Sequence, residues 1–83
     1  MSWRVEFSAT GAQHTVGLPE TAYVALNKTL ALLLQDPWAL SSPDDPEDPL
    51  FRWAPFDEGI GVVMFRLNAE QEIVHVYEVA WAG

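Results

Sequence analysis

The 83-residue chain predicts an α+β domain, a sheet with helices packed on one face, in the order strand, helical segment, three strands. Three observations lead there. Trp3-Arg4-Val5-Glu6-Phe7-Ser8 alternates apolar and polar residues with the period of a strand. Leu18 to Pro37 holds an apolar stripe of helical period between a start and a stop signal. From Leu50 onward, alternating segments are joined by short polar connections, as antiparallel neighbours require.

In the first strand, Trp3, Val5 and Phe7 share one face and Arg4, Glu6 and Ser8 the other, which predicts a half-buried strand. Ala9 to Gly17 holds two glycines and the β-branched Thr15 and Val16, leaving room for a short helix from about Ala9 to His14 with Ser8 as its cap. The long helix opens at Pro19, whose fixed φ suits a first turn, and Glu20 sets a negative charge at the positive end of the helix dipole. Ala22, Leu26, Leu30 and Leu33 form its apolar stripe, widened by Tyr23 and Leu34, with Asn27, Lys28, Ala31 and Gln35 opposite. Asp36-Pro37 stops it, because the residue before a proline is pushed out of the α region. Trp38 to Pro49, with three prolines and a run of acids, reads as an exposed loop. Three strands follow, Leu50 to Phe56, Gly61 to Leu67 and Glu72 to Trp81, connected by Asp57-Glu58-Gly59 and Asn68-Ala69-Glu70-Gln71. In the last, Ile73, His75, Tyr77, Val79 and Trp81 share one face and Glu72, Val74, Val76, Glu78 and Ala80 the other, so its middle is apolar on both sides and predicts a central or helix-covered strand.

Composition bounds the function. One domain of this size has a modest core, which leaves room for a partner surface or a homodimer. The absence of cysteine removes disulfides and thiolate metal sites. No apolar run approaches the ~20 residues that span a bilayer, and MSWRVEF lacks the apolar block of a signal peptide, so a cytoplasmic protein is expected. Twelve Asp and Glu against four Lys and Arg give a net charge of −8, a field that repels phosphate backbones and disfavours nucleic acid as a partner.

The chain resembles the RelE/ParE toxin superfamily. The resemblance rests on the opening strand WRVEFS, on a helix that begins at Leu18-Pro19 and ends at Asp36-Pro37, and on the final hairpin GVVMFRLNAEQEIVHVYEVAW. It implies a RelE/ParE-like fold over residues 1–83: an N-terminal strand, a short and a long helix, then a three-stranded antiparallel meander packed against them. It further implies a toxin–antitoxin type of protein with an antitoxin-like partner. RelE-like members cut messenger RNA on the ribosome with Lys and Arg residues on the sheet and helix, usually with a Tyr, His or Arg near the C-terminus. This chain departs there. Where the third strand commonly starts Tyr-Arg-Val, it reads Ile60-Gly61-Val62, and where a His-Arg-like pair commonly ends the last strand, it reads Ala80-Trp81-Ala82-Gly83.

Arg4, Lys28, Arg52 and Arg66 are the only fixed cations, whereas in-line cleavage needs an acid, a base and cations beside the developing phosphorane charge. A nuclease would have to use Arg52, Arg66, His75 and Lys28, and on a short strand Arg52 could share a face with Arg66. The bland readings are a structural ion pair for Arg52 and a hydrogen-bonded, partly buried His75. His14 and His75 lack metal-ligand spacing, the cluster Asp44-Asp45-Pro46-Glu47-Asp48 lacks the pattern of a calcium loop, and no cofactor is implied. Most of the tryptophans belong in the core, but Trp38 beside Asp44, Asp45, Glu47 and Asp48 suits a protein-binding anchor. The leading expectation is a divergent RelE/ParE-like protein that binds another protein without ribosome-dependent cleavage. An active endoribonuclease or gyrase inhibitor is the first alternative, and an acidic inhibitor or nucleic-acid mimic that binds a basic protein is the second.

Overall fold

Alternation in the N-terminal segment produces β1 (Arg4–Phe7), and Ser8 then turns the chain into a five-residue helix, α1 (Ala9–Gln13), by accepting a 2.9 Å hydrogen bond from the Gly11 N–H on its Oγ. The computed structural model describes residues 2–83. The long helix α2 (Glu20–Leu33) follows, then β2 (Ser42–Asp45), β3 (Asp48–Phe56), a 3-10 turn at Asp57–Gly59, β4 (Gly61–Asn68) and β5 (Ile73–Trp81). The strands form one sheet in the order β1-β5-β4-β3-β2, with β1 parallel to β5 and every other pair antiparallel.

Both helices lie on one face of this sheet. Leu26, Leu30 and Leu33 of α2 meet Ala54, Phe56, Val63, Phe65, Leu67, Val74, Val76 and Val79 in a single core. Burial of a large apolar side chain contributes roughly 1.5–3 kcal/mol, so these residues carry most of the fold's stability. The close approach of α1 to β5 depends on Gly11, since a Cβ there would lie 2.5 Å from the Val76 carbonyl oxygen.

The structure corrects several sequence expectations. Trp38 to Pro49 is not all loop: Ser42–Asp45 forms an edge strand and β3 begins two residues before Leu50. A Pro-rich, acidic segment can pair there because an edge strand leaves one row of backbone groups to solvent, where a missing N–H costs nothing. Pro19 is the N-cap of α2 and not part of its first turn, and the helix ends at Leu33. Asp36 instead starts a new turn, its Oδ1 accepting a 3.1 Å bond from the Ala39 N–H. Tyr23 is 47% exposed and does not widen the stripe, while Leu34 does pack against the core. Phe7, on the edge strand β1, is 39% exposed.

A larger correction concerns the faces of β5. Phe65 pairs with Val76 but Met64 pairs with Glu78, so Tyr77 is an extra residue, a β-bulge. Beyond it the alternation changes phase. Val79 and Trp81 therefore join Val74 and Val76 on the helix side, leaving Ile73 and His75 on the opposite face.

Candidate functional site

The sheet face turned away from the helices carries a cross-strand row in which Phe51 of β3 lies opposite Arg66 of β4, Arg66 opposite His75 of β5, and His75 opposite Glu6 of β1. The next row runs Ser42, Trp53, Met64, Glu78. Asp44 lies at a register irregularity of the edge strand, and its carboxylate is close enough to act on the Tyr77 hydroxyl of this face. Phe51, Trp53, Met64, His75, Tyr77 and Glu78 are all half-buried, and no described element covers them. The rings of Phe51 and Tyr77 meet edge to face at 5.6 Å.

Cations on this face are engaged. Arg66 Nε lies 3.6 Å from Asp48 Oδ2, with its guanidinium 5.4 Å from the centre of the Phe51 ring. Arg4 Nε donates to Glu6 Oε2 at 3.2 Å. Asp44 and Glu78 make no ion pair among the described residues. The phenol of Tyr77 is pushed above its ordinary pKa, first by burial and then by the carboxylates of Asp44 and Glu78 beside it.

Of the four residues considered for nuclease chemistry, the structure brings together Arg66 and His75 and separates the other two. Lys28 is exposed on the outer side of α2. Arg52 pairs with Phe65 and so faces the helices, not the side that Arg66 occupies. It is 9% exposed and forms no carboxylate pair among the described residues. Instead its Nε donates to Ser41 Oγ at 2.6 Å, NH1 to the Pro49 carbonyl at 3.1 Å, and NH2 to the carbonyls of Trp38 at 3.2 Å and Ser41 at 2.9 Å. The guanidinium also covers the Trp38 ring, 5.3 Å from its centre. Arg52 is thus the clamp that fixes the chain between α2 and the edge hairpin, a task that needs the planar fork of arginine.

The acidic residues grouped with Trp38 are divided in the same way. Trp38, 41% exposed, sits with Arg52 on the helix side, while Asp44 belongs to the open face. At the hairpin tip Asp45 Oδ1 accepts the Glu47 N–H at 2.8 Å and Asp48 Oδ1 the Leu50 N–H at 3.0 Å, so these carboxylates shape the turn. Glu47 is exposed beside them. Among the described residues no group of three His, Asp or Glu side chains is arranged to hold a metal. His14 accepts a 3.2 Å bond from the Val79 N–H on Nδ1, tying the end of α1 to β5. Trp53 is the tryptophan that departs from the core expectation. Its neighbours Phe51 and Met64 share its face by simple alternation, a signal the sequence carried in β3 and β4.

The glycine at the start of β4 has a packing cause. A Cβ at Gly61 would lie 2.3 Å from the ring of Phe56, which is itself core, so no longer side chain fits without displacing that ring. At the other end of the final strand, Trp81 donates its indole N–H to Asp57 Oδ2 at 2.9 Å and closes the β3–β4 turn. Both positions serve structure.

No protein-family model and no curated protein matches the chain. Solved structures do. The RelBE2 toxin–antitoxin complex from Mycobacterium tuberculosis matches with a TM-score of 0.83 and 20% identity, over 98% of this chain and 99% of that one. An Escherichia coli RelE toxin carrying two Arg-to-Ala substitutions, in complex with an antitoxin RelBc peptide, matches with a TM-score of 0.79 and 19% identity, over 100% of this chain and 86% of that one. The archaeal RelE–RelB complex from Pyrococcus horikoshii gives 0.70 and 15% identity, over 100% and 98% of the two chains. With TM-scores up to 0.83 over almost the whole of its length, the chain has the fold of the RelE toxins.

Proposed function

We propose that this chain is a protein of toxin–antitoxin type that works by binding an antitoxin-like or other protein partner, without cleaving messenger RNA on the ribosome. The observation that carries the reading is the state of the open face, where Arg4 and Arg66 each lie beside a carboxylate among further acidic residues and Arg52 is withdrawn into the helix side. Stabilising a phosphorane needs cations free to meet developing negative charge, and here that charge would meet Asp44, Asp48 and Glu78. The similar solved structures include complexes with antitoxins, which supports a protein as the ligand.

The test is incubation of the purified chain with translating ribosomes and a defined messenger RNA, followed by mapping of RNA ends. Intact RNA is the expected outcome. Cutting that disappears in Arg66→Ala or His75→Ala would overturn the proposal and establish the second reading, a divergent nuclease, which rests on the register pairing of Arg66 with His75 on the open face.

A further inference from the structure

We infer that the open sheet face is a docking surface for a cationic amphipathic helix of a partner protein, an inference that rests on the protein-binding reading above and specifies the partner's chemistry. The face has a floor and a rim. Phe51 and Trp53 on β3, Met64 on β4 and Tyr77 on β5 form a continuous apolar and aromatic strip, half-buried although no described element packs on it. Strands lie ~4.8 Å apart, so a strip three strands wide is about 10 Å across, the width of one helix with its side chains. A helix laid there covers all four side chains at once.

Charge decides which helix. Asp44 flanks the strip on the β2 side and Glu78 borders it on β5, neither in an ion pair among the described residues, while Asp48 lies against Arg66, and Glu6, beside Arg4, ends the Phe51 row on β1. Arg66, the cation nearest the strip, is already covered by Asp48 and Phe51. An acidic helix would bring its charges against this rim in a molecule of net charge −8, whereas lysines or arginines flanking an apolar stripe would pair with Asp44 and Glu78 and meet the faces of the exposed rings. The bulge contributes directly, since it leaves the Tyr77 ring against Phe51 beside both of these carboxylates. A nucleic acid is the wrong sign for this rim, and so is an anionic lipid surface.

The experiment uses the full chain, labelled for NMR, and two synthetic helical peptides of about 18 residues, long enough to hold a helix once docked: leucines at helical spacing with lysines on the polar face, and the same peptide with glutamates for lysines. The lysine peptide is expected to shift the amides of Phe51, Trp53, Met64 and Tyr77 and the Trp53 indole. Asp44→Asn with Glu78→Gln should weaken its binding about tenfold at low salt, while the equal change of charge in Glu58→Gln with Glu70→Gln, both in exposed turns away from the face, should weaken it less than about twofold. Equal weakening by both double variants, shifts centred on another surface, or no binding of either peptide would overturn the inference. Equal binding of the glutamate peptide on this face would overturn the cationic partner and leave protein binding intact. Cleavage of ribosome-bound RNA would remove the protein-binding reading itself, whatever the peptides do.

Discussion

Arg52 shows how a side chain that looks chemical from its neighbours can be structural in its setting. Phe51-Arg52-Trp53 alternates in and out of the sheet, and the inward member is the arginine. Burying a guanidinium is costly unless its donors are used, and here four hydrogen bonds to one hydroxyl and three carbonyls use them. Arg52→Ala should lower unfolding free energy by ~2–4 kcal/mol, because those carbonyls lose their partner, and Arg52→Lys should restore only part of it. Urea denaturation of the three proteins measures both. Gly61 admits a similar test. Arginine placed there, far from conferring cleavage, should collapse the thermal transition by forcing Phe56 out of the core, an outcome visible in near-ultraviolet dichroism before any activity is assayed.

Elements differ in how plainly the residues announced them. The stripe Ala22, Leu26, Leu30 and Leu33 predicts α2 and its buried side because spacing alone decides which side chains can share a face. β4 was equally legible, with Val63, Phe65 and Leu67 inward. β2 was not, because Ser42-Pro43-Asp44-Asp45 has no strand propensity and is held in place by hairpin pairing with β3 and by the Arg52 clamp on Ser41, neither of which its own residues announce. The paired Arg66 and His75 of the open face follow from the β4–β5 turn, with which their register is continuous, whereas the phase of Glu78 to Trp81 depends on a bulge that no local pattern marks. α1 gives a prediction of reversed sign. Gly→Ala inside a helix ordinarily gains up to ~1 kcal/mol, yet Gly11→Ala should destabilise, because the added methyl meets the Val76 carbonyl at 2.5 Å. A thermal midpoint lower than that of the parent chain is the expected reading.

For the whole molecule, electrostatics links stability to solution conditions. A net charge of −8 on 83 residues is self-repulsive, so screening should raise the melting temperature as sodium chloride increases from about 10 to 150 mM. pH acts through Tyr77. Its folded pKa is raised, chiefly by burial, so the native state holds the phenolic proton more tightly than the unfolded chain. That contribution is fully present below the unfolded value of about 10 and is lost as pH rises from there through the folded value. Denaturation midpoints measured across the alkaline range should fall less steeply for Tyr77→Phe than for the parent chain. No helix among the described residues is long and apolar enough to cross a membrane, and the sheet edges are blunted on one side by the proline and aspartates of β2.

The bulge at Tyr77 has a consequence for the arithmetic of the chain. With that one residue removed, β5 would read Ile73-Val74-His75-Val76-Glu78-Val79-Ala80-Trp81, an unbroken alternation whose inward members face Leu67, Phe65, Val63 and Gly61 in turn. The fold is therefore complete without Tyr77, and an alignment of this strand to a regular one needs a single gap at that position. A chain lacking Tyr77 should fold and keep its core, but lose the edge-to-face contact with Phe51 and one of the four side chains of the strip. Tyr77 is thus a residue that the open face uses and the core does not.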